Sequence, residues 1–345
     1  MLFSVEYDTG DAIGFYLVPD TGGTAPSVRI LNDGVELMVL PANQQRPEIV
    51  ESGRHSTGMC GFVIDESVVP GIATLEAIDI SETESGLLIY RRPRESFLQE
   101  KIFRLETHLL PLWRIDDAVR DRFQYWYRGI DRRGFETANQ VFCIVDMASA
   151  YISGRLFLKT VEQFLTGFKS VVLFRDPYEE LAERLIILKN ATEKTKELLG
   201  PRDAMTLEPV IEQLSDIEQL DEESCRRFFR RAPGDVIGPL SNPFVRQLTC
   251  SGPDEFPKKT VLAQSLAMLA SFEVVSLRSD ALHFSEALAE MIGLDKAAIP
   301  VMNEYGRVSE LARRLKAIPE VEGVLEYDIA IYEQTKHAFG SIDAT

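Results

Sequence analysis

The residues best placed to do chemistry lie in KSVVLFRDPYEELAERL, from Lys169 to Leu185. Residues 171–174 form a short continuous apolar run rich in β-branched side chains, the pattern of a strand covered on both faces. Asp176 is a good N-cap, Pro177 suits the first helical position, and Glu179 stands three residues after the cap, as in a capping box. Arg175 is thereby left at the C-terminal edge of a strand and beside the start of a helix, where open α/β sheets bind ligands and anions are favoured. An ion pair with Asp176 or another nearby carboxylate accounts for Arg175 equally well from these residues alone. For a general base the candidates are Asp146, His108 and Glu106. Asp146 follows the apolar run VFCIV, read as a buried strand over 141–145, although it would serve equally as a cap. His108 and Glu106 lie in SFLQEKIFRLETHLL, where Phe97, Ile102, Leu105 and Leu109 have helical spacing; His108 equally suits a partly buried core histidine. Arg155 and Lys159 sit on or beside a helix predicted over 156–165 and would meet an anion or a solvated face.

The elements that must position these residues change in rhythm along the chain. Up to about residue 92, short β-branched or alternating runs at 12–18, 27–31, 35–40, 61–64, 74–80 and 87–91 are punctuated by turn sequences, which predicts a small antiparallel sandwich. Asn32-Asp33-Gly34 is a strong hairpin signal. From residue 93 to 345, helices alternate with buried strands. A long helix is expected over 178–199, an acidic surface helix with loops, a solvated face, over 200–223, a strand over 272–277, and helices over 258–269, 284–292, 308–317 and 328–338. That order predicts an α/β domain with a mostly parallel sheet and flanking helices.

The totals narrow the function classes. With 345 residues, 45% hydrophobic and 26% charged, the chain reads as an ordinary globular protein of two domains. Its net charge of −17 argues against nucleic-acid binding. Basic residues nevertheless outnumber acidic ones, eleven to seven, between Arg91 and Arg133, and CRRFFRRAP forms a second basic knot at residues 225–233. Local basic islands suit a small anionic ligand. Cys60, Cys143, Cys225 and Cys250 form no CxxC pair, and the four histidines have no ligand spacing, so reduced cytoplasmic thiols and no metal are expected. Neither a transmembrane segment nor a secretory signal is expected.

Four pieces of the second part, in order, resemble the carbohydrate sulfotransferase family, including its uronyl and heparan-type enzymes. They are ISGRLFLKTVEQFLTGFKSVVLFRDPYEEL, NPFVRQLTCSG, FEVVSLRSDALHFSEALAEMIGL and EYDIAIYEQTKHAF. Within them Ser153-Gly154, Phe174-Arg175-Asp176-Pro177, Asn242, Arg246, Asp328 and Tyr332 match the family pattern, and Arg155 stands where the family has His. The resemblance covers roughly residues 140–340. It implies a P-loop-like sulfotransferase fold and sulfuryl transfer from 3′-phosphoadenosine 5′-phosphosulfate (PAPS) to a carbohydrate hydroxyl, without a metal. Partners would be an anionic nucleotide donor and a carbohydrate acceptor such as a surface polysaccharide or glycolipid.

By this resemblance Arg175 binds the 3′-phosphate, with Arg246 also at the cofactor. The phosphosulfate loop is expected in GLLIYRRPRESFLQEKIF, where Arg92 stands in the place of the family's Lys and Ser96 in that of its Thr. Two departures are plain. Arg94 and Glu95 occupy glycine positions that let backbone approach a phosphate, and Glu183 replaces a serine eight residues after Arg175. Residues 1–92, through Gly34, Arg46-Pro47-Glu48 and Gly61-Phe62, resemble a small β domain found beside bacterial polysaccharide transferases. Two other readings stay open: a non-catalytic sulfotransferase-like glycan-binding protein, and a nucleotide-sugar glycosyltransferase, although no Asp-x-Asp motif is present.

Overall fold

The computed structural model describes residues 1–20, 23–144, 147–258, 260–302 and 305–342. The chain divides into two compact units, Met1–Ile102 with Val119–Ile152, and Phe103–Ala118 with Ser153–Thr345. The first therefore contains the expected β domain together with residues 119–152.

In that unit, β1 (Leu2–Asp8), β2 (Ala12–Val18), β3 (Ser27–Asn32), β4 (Val35–Pro41), β5 (Gln44–Gln45), β6 (Met59–Asp65), β7 (Ile78–Glu82) and β8 (Leu88–Arg91) form two antiparallel sheets. Their orders are β1-β2-β6-β5 and β4-β3-β7-β8. Alternation places Ile13, Phe15, Ile30, Phe62, Ile64 and Ile80 in the interior, and Phe15 stacks on Phe62 at 4.7 Å between centroids. The β3–β4 hairpin turns at Asp33 and Gly34, both with positive φ (51° and 78°), which is the backbone that an Asp-Gly turn supplies.

The remaining strands are β9 (Lys101–Leu105), β10 (Tyr125–Tyr127), β11 (Ala150–Gly154), β12 (Lys169–Phe174) and β13 (Val274–Leu277). They make a five-stranded parallel sheet in the order β10-β11-β9-β12-β13, so the α/β class with a mostly parallel sheet and flanking helices holds. After β9 the chain makes β10 at one edge, returns as β11 beside β9, then crosses to the other side as β12 and β13. The winding reverses at β9, and the crevice beyond such a reversal is the favoured ligand position in open α/β sheets. In the second unit, Leu181, Leu185, Leu207, Val210, Leu311 and Leu315 lie in one buried cluster that joins helices Pro177–Lys189, Pro201–Ser215 and Gly306–Leu315.

Several local expectations are corrected. Residues 101–105 are the strand β9 and not part of a helix, because apolar side chains at 102, 103 and 105 satisfy both periods over so short a run. Arg104, which a helix would put in water, is buried on Asp116. The strand expected at 141–145 is, as far as residue 142, the end of helix Phe135–Phe142. In place of a helix over 156–165 there are two single 3-10 turns, Leu158–Thr160 and Glu162–Phe164, and β11 just before them was not foreseen. The helix expected over 178–199 is two, Pro177–Lys189 and Glu193–Leu199, the second capped by Thr192. The helix expected after residue 200 is present as Pro201–Ser215, but it is not a solvated face alone, since it buries Leu207, Val210, Ile211 and Leu214.

Candidate functional site

Beyond the end of β9 the chain turns through residues 106–112, and the side chain of Glu106, only 2% exposed, folds back into that turn. Oε1 accepts from the backbone N–H groups of Thr107 (3.0 Å) and His108 (3.1 Å) and faces His108 Nδ1 at 3.0 Å. Oε2 accepts from the N–H of Leu112 (2.7 Å) and from Arg104 Nη2 (2.9 Å). Arg104 in turn grips Asp116 through Nε (2.8 Å) and Nη2 (2.9 Å). Burial alone would raise the Glu106 carboxyl, but Arg104, then His108 and the Leu112 amide, hold it well below the usual carboxylate range. An ionised carboxylate therefore sits among converging amides, the arrangement that binds anions elsewhere.

The carbonyls of the same turn are held from the other side. Arg155 Nη1 donates to the carbonyls of His108 and Leu109 (3.3 Å each), and Gln247 Nε2 to that of Glu106 (2.9 Å). Arg184 Nη2 reaches the Thr107 carbonyl at 3.4 Å, and Thr107 Oγ1 donates to Leu173 O of β12 at 2.9 Å. These clasping groups also line a cleft, where Arg155, Arg184, Arg202 and Arg246 meet Asp203, with Phe157 beneath Arg202 at 5.3 Å. Asp203 takes an ion pair from Arg155 and one from Arg202 (3.1 Å). Of the other two guanidinium groups lining the cleft, Arg184 pairs with Glu180 at 2.7 Å and Arg246 is bonded to backbone carbonyls. The cavity volume of the cleft is ≈ 60 Å³, room for about four to six waters at roughly 10–15 Å³ each. That is room for one sulfate- or phosphate-sized group.

Arg175 stands where the sequence placed it, at the end of β12 beside helix Pro177–Lys189. The cap is also as expected: Asp176 Oδ1 accepts from the Tyr178 N–H at 2.9 Å. Arg175 is 5% exposed, and its Nη1 lies 3.0 Å from Glu183 Oε2. Glu183 does not turn away. Burial would lower the Arg175 pKa, but Glu183 and then Glu180 outweigh it and raise the value. Asp176 pairs with Lys316 instead, at 3.0 Å. Thr107, Glu180, Phe244 and Asp328 share a small cavity with Arg175. Asp328 accepts from the N–H groups of Phe244 (3.1 Å) and Val245 (2.8 Å), yet burial pushes its pKa up to about 7.

The other predicted residues are distributed as follows. His108 is 1% exposed and belongs to the Glu106 turn, not to a helix. Arg246 is buried with Nη1 on Gly238 O (2.6 Å), Nε on Glu255 O (3.3 Å) and Nη2 on Pro253 O, and it lies over Phe256. Arg92 and Ser96 belong to the first unit, whereas Arg175, Arg246 and His108 belong to the second. Arg92 donates to Asp8 through Nε (2.9 Å) and Nη2 (3.1 Å), and to the carbonyls of Ile72, Leu75 and Gly10. Ser96 is exposed in a turn. Asp146 lies outside the described residues.

Sequence reasoning missed Arg184, Arg202, Asp203 and Gln247. The one local signal was Gly200-Pro201, a helix start that puts Arg202 and Asp203 in a first turn. No helix among the described residues is long and apolar enough to cross a membrane.

No protein-family model matches the chain, and no curated protein matches it. Among solved structures it is similar to a crystal structure of a sulfotransferase from Alicyclobacillus acidocaldarius, with a TM-score of 0.32 and 12% identity, over 68% of this chain and 96% of that one. A likeness this distant carries no residue's role and no activity across.

Proposed function

We propose that this chain is a non-catalytic, sulfotransferase-like protein that binds an anionic carbohydrate, gripping one sulfate, phosphate or carboxylate group in the arginine cleft. The observation that carries this reading is that Arg155, Arg184, Arg202 and Arg246 line one cleft in which Asp203 pairs with Arg155 and Arg202, while Arg184 pairs with Glu180. Arginine forks suit oxyanions, and a cleft with excess positive charge on an acidic protein draws anions locally. Carbohydrate as the ligand class and the sulfotransferase-like fold come from the sequence resemblance, a bacterial setting from the resemblance of residues 1–92, and a cytoplasmic one from the unpaired cysteines.

A second reading, sulfuryl transfer from PAPS to a carbohydrate hydroxyl, is favoured by Arg175 at the end of β12 next to the winding reversal. It would use Arg175 and Arg246 for the nucleotide and His108 or Asp146 as base. Against it stand two anions built into the chain, Glu183 on Arg175 and Glu106 in the turn after β9.

Calorimetric titration with a sulfated oligosaccharide and with 3′-phosphoadenosine 5′-phosphate, beside a radiolabelled PAPS transfer assay, separates the two. Oligosaccharide binding that weakens with salt and with Arg202→Ala, and no transfer, is the expected result. Micromolar nucleotide binding lost in Arg175→Ala, together with transfer, would establish the second reading instead.

A further inference from the structure

The turn after β9 has the composition of an oxyanion-binding site. Three backbone N–H groups, those of Thr107, His108 and Leu112, converge on one point together with Arg104 Nη2 and His108 Nδ1, at 2.7–3.1 Å from the oxygens they hold. The turn sits beyond the central strand, where the winding of the sheet reverses. What occupies the point is a side chain of the turn itself. Nothing in a strand-to-turn connection requires a buried carboxylate, and burying one is expensive unless it is fully bonded. Here it is fully bonded, so the donors form an anion seat and Glu106 is the anion.

The surroundings keep the seat formed independently of its occupant. Arg155, Arg184 and Gln247 hold the carbonyls of residues 106–109 from outside, and Asp116 fixes Arg104 through two bonds of 2.8 and 2.9 Å. None of these contacts involves the Glu106 carboxylate. Removing that carboxylate leaves the donors aimed at a space no longer filled, with a cation beside it.

We propose that residues 104–112 form a preorganised oxyanion seat closed by its own tethered occupant, Glu106, and that vacating it turns the seat into a binding site for free phosphate, sulfate or a small carboxylate. In the native chain the head of the central strand is therefore shut to phosphoryl and sulfuryl groups by a side chain rather than by the absence of a site. This holds whether or not the arginine cleft binds a glycan.

The test compares Glu106→Ala, Glu106→Gln and the full wild-type chain by thermal unfolding in phosphate, sulfate, acetate or chloride at matched ionic strength. Glu106→Ala is expected to melt lower than wild type in chloride. In phosphate, sulfate or acetate it should then recover saturably, by about 5 °C at a hundredfold excess over Kd. Any general salt effect, and any binding to the arginine cleft, moves wild type and variant together, so the difference between them reads the seat alone. Glu106→Gln, which keeps the seat filled, should melt lower than wild type without recovering. If Glu106→Ala does not fold in chloride, its refolding yield in phosphate against chloride gives the same reading. An Ala variant with no anion-specific gain over wild type in melting or in yield, or a Gln variant that gains as much, overturns the proposal.

Discussion

Glu183 Oε2 lies 3.0 Å from Arg175 Nη1, one strand end joined to the second turn of the helix that follows it. The pair is the intramolecular version of the contact that a phosphate would make with the same guanidinium. Breaking a buried pair by removing one partner costs about 3–5 kcal/mol, whereas replacing both by apolar groups is often neutral. Arg175→Met should therefore lower stability by about 3 kcal/mol, and Arg175→Met with Glu183→Leu by less than about 1 kcal/mol, in urea unfolding. Equal losses in the single and double variants would show that Glu180, not Glu183, is the partner that matters.

Arg92 gives the clearest contrast between a cofactor group and a structural one. Its guanidinium is spent on Asp8 and three carbonyls, and burial leaves 10% of the side chain exposed. Arg92→Ala should cost about 3 kcal/mol, seen as an earlier thermal transition. Anion titration should return an unchanged affinity, and a selective loss of nucleotide binding in a fully folded variant would restore Arg92 to a binding role.

Asp203 opposes the anion in the arginine cleft, so neutralising it should strengthen binding. Asp203→Asn is expected to tighten binding of a sulfated oligosaccharide about three- to tenfold at low salt, and Arg202→Ala to weaken it by a similar factor. Both effects should shrink as salt rises, since partly exposed charges are screened. Calorimetry at two salt concentrations reads this directly, and an Asp203→Asn protein that binds more weakly would move the site elsewhere.

Asp328 makes a pH signature. Burial, outweighing its two amide bonds, pushes its carboxyl up from the ordinary 3.8 to about 7 in the folded chain. Between those values the folded chain keeps a proton that the unfolded chain has lost. The contribution to stability is thus fully present below about 3.8 and disappears as pH rises through about 7. The unfolding free energy from urea titration should fall between pH 5 and pH 8 by an amount on the order of 2–4 kcal/mol in wild type relative to Asp328→Asn. A parallel pair of pH profiles would show that Asp328 ionises normally.

What was legible in the sequence was whatever short-range chemistry decides. The Asp33-Gly34 turn follows from the positive φ both residues tolerate, and the start of helix Pro177–Lys189 from Asp176 and Pro177. Even the conflict at Arg175 was visible as Glu183, a carboxylate, in the place of the family's serine eight residues on. Strand β9 was not, because five residues do not separate a period of two from one of 3.6, and because Asp116, which buries Arg104, lies twelve positions away. Nor does the sequence show the seat: Glu106 reads as a candidate base until the turn brings the amides of residues 107, 108 and 112 around it. The cleft draws Arg155, Arg184, Arg202 and Arg246 from four separate segments, and no spacing rule joins them.

The clasp on residues 106–112 also bears on how this part of the chain breathes. Its amides bind Glu106 and its carbonyls bind Arg155, Arg184 and Gln247, so opening the turn breaks several buried bonds together, those to Glu106, Arg155 and Arg184 involving charged groups. The amide protons of Thr107, His108 and Leu112 are therefore expected to exchange with solvent more slowly than those of an ordinary loop, usually the first part of a fold to let go.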